Sequence, residues 1–94
     1  MFVPSKSYEC ELDVERSRFI ASLFPLTKID EVNSYLQTIK KQYPKARHYL
    51  YAYRLNNVMK GNDDGEPGSI AKGFLTLLDQ AKLDQVLVIV TRYF

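Results

Sequence analysis

Residues 85–93 read Gln-Val-Leu-Val-Ile-Val-Thr-Arg-Tyr, and they decide the fold class. This run shows no alternation of apolar and polar residues, which is typical of a strand that is covered on both faces. Its apolar part, residues 86–90, is far shorter than the roughly 20 residues of a membrane-spanning helix. We therefore expect a buried strand in a globular domain and no membrane partner.

A hairpin of two strands is predicted near the start of the chain. Residues 8–14 alternate between apolar and polar side chains, which indicates a half-buried antiparallel strand. Residues 18–24 predict a second strand that ends at Pro25, and residues 15–17 predict the tight connection between the two.

Two amphipathic helices are also predicted. The first has Thr27 as its N-cap and ends before Pro44, and the second is capped by Ser69 and reaches residue 81. The apolar face of the first helix consists of Ile29, Val32, Tyr35, Leu36, Ile39 and Tyr43.

Between the helices, residues 47–55 predict a tyrosine-rich third strand. Residues 56–68 hold three of the four glycines and predict a single long loop, a feature that is often functional in a small domain. The predicted order is β-β-α-β-α-β, an α+β domain with a mostly antiparallel sheet.

Length and composition limit the class of protein. The 94 residues suffice for one domain, and 46% hydrophobic with 26% charged residues is ordinary for a globular chain. Cys10 is the only cysteine, so no internal disulfide forms and a reducing cytoplasm is expected. Cys10 and His48 are too few ligands for zinc, and we expect no cofactor.

The distribution of charge is more informative than the net charge of +2. Residues 40–60 contain no acid, and their cations are Lys40, Lys41, Lys45, Arg47, Arg54 and Lys60, together with His48. Tyrosines interleaved with cations are a feature of nucleic-acid surfaces. The alternative is a strand whose tyrosines pack in the core and whose charges are merely solvated.

The acidic loop, which we define as Asp63, Asp64, Gly65, Glu66 and Pro67, has three interpretations. Its carboxylates could bind Mg²⁺ or Ca²⁺, although the spacing is not that of an EF-hand. They could act as an acid/base pair. They could also form a structural turn that pairs with an arginine such as Arg92, and this interpretation is favoured. His48 is the only histidine, and we predict no catalytic residue and no metal ligand.

Four blocks of sequence resemble the N-terminal domain of the IMPACT family, also called the YigZ or UPF0029 family. They are residues 17–21 (Ser-Arg-Phe-Ile-Ala), His48 with residues 51–54 (Tyr-Ala-Tyr-Arg), residues 63–67 and residues 88–94 (Val-Ile-Val-Thr-Arg-Tyr-Phe). The resemblance covers the chain from about residue 7 to its end. The motif residues that it carries over are Arg18, His48, Tyr53, Arg54, Asp63, Asp64, Gly65, Glu66, Pro67, Arg92, Tyr93 and Phe94.

The resemblance implies a two-layer sandwich like that of ribosomal protein S5 domain 2, and a role in translation regulation. The chain departs from the family pattern at residues 68–72 (Gly-Ser-Ile-Ala-Lys), and it stops at Phe94, before the glycine pair and the helix that usually follow. We therefore expect residues 1–94 to be a single, C-terminally truncated domain without its last helix. One face of residues 86–90 would then lack cover, which favours a homo-oligomer.

The predicted function is that of a cytoplasmic, non-enzymatic, translation-associated or regulatory module that binds RNA, the ribosome or a protein partner. The candidate recognition surface consists of Lys40, Lys41, Lys45, Arg47, His48, Tyr53, Arg54, Arg92 and Tyr93. The alternative is a metal-dependent hydrolase that uses Asp63, Asp64 and Glu66.

Overall fold

The apolar run that follows Gln85 forms the central strand of a sheet. The computed structural model describes residues 6–14, 17–65 and 70–93. Within these ranges it contains, in chain order, β1 (Tyr8–Val14), β2 (Ser17–Pro25), α1 (Asp30–Gln42), β3 (His48–Leu55), β4 (Val58–Asn62), α2 (Ile70–Gln80) and β5 (Val86–Arg92). The described strands form one antiparallel sheet with the order β1-β2-β5-β3-β4. The predicted α+β class with an antiparallel sheet is confirmed.

Strand β5 is covered on both faces, as its unbroken apolar run predicts. Leu87 and Ile89 pack in a cluster with Ile39 of α1, whereas the intervening Val88 packs in a second cluster with Leu78 of α2. Successive side chains of a strand point to opposite faces, so the two helices lie on opposite sides of the sheet. In this chain the two layers that the resemblance implies become three, in the order helix, sheet, helix.

The expectation that residues 86–90 lack cover on one face is wrong. All five side chains are buried, and the most exposed of them retains 5% of its surface. On the second face, Leu78 and the partly buried Phe74 of α2 pack in one cluster with Val86, Val88 and Val90. The surface without cover lies instead beside α2, over β1 and β2.

A fifth strand replaces part of the predicted long loop. Asn56 and Asn57 form a two-residue turn in which both have positive φ (51° and 65°), and Leu55 pairs with Val58 across it. Asparagine adopts this left-handed conformation more readily than most residues, so two asparagines suit a hairpin turn whose central residues both have positive φ. The element order is therefore β-β-α-β-β-α-β, and the predicted single loop over residues 56–68 is wrong.

The start of α1 also differs from the prediction. The helix begins at Asp30, with Ile29 as a cap residue that makes no side-chain hydrogen bond. The Glu31 carboxylate instead folds back and accepts hydrogen bonds from the Thr27 N–H and hydroxyl, each 2.7 Å, and from the Lys28 N–H at 2.8 Å. These bonds, led by the one from the Thr27 hydroxyl, lower the pKa of Glu31. The predicted cap Ser69 lies outside the described residues.

Candidate nucleic-acid interface at the start of β3

Three strands and the end of α1 converge at one end of the sheet. Strand pairing sets His48 opposite Arg92 on one side of β5, and Phe19 opposite Arg92 on the other. The Arg47 N–H donates a 2.8 Å hydrogen bond to the Arg92 carbonyl, which holds the link from α1 against β5. The chain therefore places the C-terminal turn of α1, the start of β3 and the end of β5 together.

Four exposed cations surround this junction, and we call them the basic corner: Lys40, Lys41, Lys45 and Arg47. The first two lie in the last turn of α1, and the others lie in the link to β3. Among the residues that the structure describes, none of the four forms an ion pair with a carboxylate. The Lys40 ammonium lies 5.5 Å from the centre of the Tyr49 ring, a cation–π contact that anchors its stem.

Two motif arginines stack on aromatic rings beside the basic corner. The Arg92 guanidinium lies 5.6 Å from the Phe19 ring, and that of Arg18 lies 5.4 Å from the Tyr93 ring. Arg18 also donates a 2.7 Å hydrogen bond to Glu11. Arg92 and Tyr93 are half-buried, so their side chains lie against this end of the sheet and do not extend into solvent.

The acidic loop is attached to the start of β3 through Asp64. Its carboxylate accepts a 2.9 Å hydrogen bond from the Tyr49 N–H and lies 3.7 Å from His48 Nδ1. The Asp64 N–H in turn donates to the Asn62 side chain, and Gly65 has a φ of +74° that favours glycine. The Asp64 carboxylate therefore links this loop to the backbone of β3.

The other members of the loop add no geometry for a metal. Asp63 is half-buried, and Glu66 and Pro67 lie outside the described residues, as does Phe94. In residues 6–14, 17–65 and 70–93, no three His, Cys, Asp or Glu side chains are grouped so that they could hold a metal ion. The same ranges contain no helix that is long and apolar enough to cross a membrane.

Tyr53 and Arg54 were predicted to belong to the recognition surface, but the structure places both in the interior. Tyr53 is 6% exposed in the α1 cluster, and Arg54 is 8% exposed beneath α2. Arg54 donates hydrogen bonds of 3.2 Å to Asp79 and 3.1 Å to Asn57. Both side chains are buried because β3 has cover on both faces, and neither side of this strand faces solvent over residues 52–55. They are therefore not part of the exposed surface of the basic corner.

One polar contact at this end was not indicated by the sequence. The Tyr43 hydroxyl, at the end of α1, donates a 2.6 Å hydrogen bond to Glu9 of β1. This bond, with burial, raises the pKa of Tyr43 to about 12. Ser22 donates a 3.3 Å bond to the same carboxylate, so Glu9 joins α1, β1 and β2. No sequence signal marks Glu9, because it occupies an ordinary polar position of an alternating strand.

Comparison with known proteins identifies relatives over nearly all of the chain. The family model described as "Impact N-terminal domain" matches residues 15–94. The chain is 36% identical to the IMPACT family member YvyE of Bacillus subtilis, over 99% of this chain and 45% of that protein. It is 37% identical to an IMPACT family member of Thermus thermophilus (86% and 44%) and 24% identical to YigZ of Escherichia coli (98% and 48%).

A solved structure shows the same fold. The crystal structure of a hypothetical protein superposes with a TM-score of 0.89 at 23% identity, over 98% of this chain and 48% of the other. The chain thus spans about half the length of the proteins that it matches. Since the family model covers residues 15–94, the chain belongs to the IMPACT family, over that family's N-terminal domain.

Proposed function

We propose that this protein is a non-enzymatic module that binds RNA through the basic corner. The observation that carries the proposal is the group of four exposed cations at one end of the sheet, none of which pairs with a carboxylate of the described residues. Cations without a carboxylate partner are available to phosphates, whose neutralisation releases counterions and drives binding.

The arrangement suits a backbone-directed contact. Lysine and arginine side chains on a helix end and its following link can track successive phosphates, whereas base-specific contacts need polar groups that reach base edges. The half-buried Tyr93 and His48 lie beside the basic corner and offer ring surface next to it. In line with the family resemblance we propose a cytoplasmic, translation-associated RNA, such as that of the ribosome, as the ligand.

Binding to a mixed RNA pool at two or more salt concentrations tests the proposal. The logarithm of the binding constant should fall linearly with the logarithm of salt concentration, by roughly 0.7 for each phosphate contact to a single strand. The double variant Lys45→Glu/Arg47→Glu should weaken binding and flatten this slope. A slope of zero, or no binding at low salt, contradicts direct RNA contact and favours a protein partner.

The matched control is Lys28→Glu/Lys72→Glu. It changes the net charge by the same amount as the test variant, at two exposed lysines elsewhere in the chain. Because these lysines lie outside the basic corner, the control should keep most of the affinity and the slope. Equal losses in both double variants would mean that only net charge matters.

Metal-dependent hydrolysis at the acidic loop is the alternative, and it has weaker support because the Asp64 carboxylate already accepts the Tyr49 N–H. Its test is the melting temperature with added Mg²⁺, Mn²⁺ or Ca²⁺. A specific site stabilises the folded state by mass action, so a shift that disappears in Asp63→Asn would favour this alternative.

A further inference from the structure

Strand β3 carries a row of tyrosine rings on the α1 side of the sheet: Tyr49, Tyr51 and Tyr53. Alternate residues of a strand share one face, so these side chains follow each other at intervals of about 7 Å. The Tyr51 and Tyr53 rings are nearly parallel, with 10° between their planes and 6.3 Å between their centres. A row of aromatic rings along a strand is a surface on which successive bases can stack.

The three rings differ in how accessible they are. Tyr53 is 6% exposed and belongs to the core. Tyr49 is half-buried, and its ring lies beneath the Lys40 ammonium. Tyr51 is half-buried too, but it pairs across the ladder with Asn62, whose small polar side chain is exposed. Of the three, Tyr51 is therefore the ring that is neither enclosed in the core nor covered by a cation.

Positive charge flanks the row at both ends. The Lys40 ammonium lies over Tyr49, at the side of the basic corner. Lys60 of β4 is exposed and pairs with Tyr53 across the ladder, so the two side chains lie on the same face of the sheet. A nucleic-acid strand that follows the row therefore meets cations before and after Tyr51.

Acidic residues are absent from the sequence that builds this surface. Residues 32–62, which include almost all of α1 and the whole of β3 and β4, contain no Asp or Glu. Glu31, just before this stretch, folds back onto the link before α1. After it, Asp63 is half-buried, and the Asp64 carboxylate at the start of β3 already accepts the Tyr49 N–H. The α1 side of β3 and β4 is therefore complementary in charge to a phosphate backbone.

We propose that single-stranded RNA binds along this row, with a base stacked on Tyr51 and with its phosphates held by Lys60 and the basic corner. The stacking site rests on the proposed function of the basic corner and adds to it the class of RNA that binds. The bases of an A-form duplex are paired and stacked on each other, so a ring on the protein surface cannot reach them. Contacts to phosphates alone do not favour a single strand, because the duplex has the higher charge density. A preference for single strands therefore depends on stacking.

The test compares affinities for a mixed-sequence single-stranded RNA of about 12 nucleotides and for the duplex that contains it, at one salt concentration. We expect the single strand to bind more tightly. Tyr51→Leu keeps an apolar side chain and removes the ring, so it should weaken single-strand binding roughly 5- to 150-fold and abolish the preference over the duplex. The matched control is Tyr8→Leu, which removes an exposed ring from the α2 side of the sheet and should keep the affinity. Circular dichroism confirms that both variants are folded.

A fluorescent reporter detects the stacking itself. The chain contains no tryptophan, so Tyr51→Trp introduces a single indole at this position, and a base stacked on it should quench its emission. Tyr8→Trp is the control and should keep its emission when the same RNA binds. Salt-dependent RNA binding that leaves the emission of Tyr51→Trp and the affinity of Tyr51→Leu unchanged overturns the stacking site and leaves the proposed function standing. Equal or tighter binding of the duplex has the same meaning, whereas the absence of binding to either RNA overturns both.

Discussion

The two faces of the sheet are built differently, although β5 contributes to both. On the α1 face, tyrosines close the cluster, and the hydroxyls of Tyr43 and Tyr49 donate to Glu9 and to the Tyr43 carbonyl. On the α2 face, the helix packs against β3 and β4 and leaves an open groove over β1 and β2. The two helices have similar lengths, yet α1 closes its face of the sheet and α2 leaves part of its face open. The difference arises because aromatic side chains of α1 and β3 extend the cover on the α1 face.

The largest difference between the faces should appear when a leucine-sized side chain is shortened on each, a buried one on the α1 face and an exposed one on the α2 face. Ile39→Ala removes a side chain that is 1% exposed, and we expect it to lower the free energy of unfolding by about 2–5 kcal/mol. Leu77→Ala, at the open rim, should change it by less than about 0.5 kcal/mol. Urea denaturation at a dilute concentration measures both, and equal losses would show that the groove is closed in solution.

Beneath α2, the ion pair between Arg54 and Asp79 stabilises the side of the helix that is away from the groove. Asp79→Asn removes the negative charge that pairs with the Arg54 guanidinium, whose side chain is 10% exposed. We expect the free energy of unfolding to fall by about 1–3 kcal/mol. The control Asp30→Asn, in the first turn of α1, should lose about 0.3–1 kcal/mol through the helix dipole alone. If the two losses agree within error in urea titrations, Arg54 does not depend on Asp79.

On the α1 face, Tyr43→Phe deletes the hydroxyl that donates to Glu9, and we expect a loss of about 1 kcal/mol at neutral pH. Its pKa is raised to about 12 in the folded state, so the stabilisation that it contributes is complete below the unfolded value of roughly 10. It disappears as pH rises from about 10 to about 12, since the unfolded chain loses the proton first.

Urea midpoints measured from pH 8 upward therefore decline for the wild type, and less steeply for Tyr43→Phe. Tyr35 and Tyr49, whose pKa values burial also raises, are present in both proteins and contribute equally. Parallel declines would mean that the bond to Glu9 does not survive in solution.

The smallest effect is expected on α2. Gly73→Ala adds a methyl group in open space within a helix and should raise the free energy of unfolding of the monomer by about 0.5–1 kcal/mol. Thermal unfolding at low concentration measures the gain, with Thr76→Ala as the comparison on the same helix. A destabilised Gly73→Ala would indicate that this part of α2 packs more tightly than its exposure suggests.

Local patterns predicted most of the secondary structure. The alternation over residues 8–14 and the apolar run over residues 86–90 both correspond to strands. Alternation is the direct result of burial on one face, and a continuous apolar run is the result of burial on both. The hairpin between β3 and β4 was missed although Asn56 and Asn57 are a turn signal, since the five residues of β4 are all exposed and show no apolar period.

The candidate site was harder to predict, because a side chain of β3 is exposed or buried according to whether a later segment of the chain packs over its face of the strand. Lys41 and Lys45 are exposed, as cations outside strands usually are. Arg54 is not, because α2 folds over that face of β3 and supplies Asp79 from 25 residues away. No spacing within residues 47–55 carries that information.

The position of β5 has a consequence for how the domain folds. The middle strand of the sheet is the last of the described elements along the chain, and its residue Val86 pairs with Pro25. The hairpins β1–β2 and β3–β4 can form early from local contacts, but they stay separate until β5 is inserted between them. Such distant pairing slows folding in small proteins, and during synthesis the sheet cannot close before residue 92 has left the ribosomal tunnel.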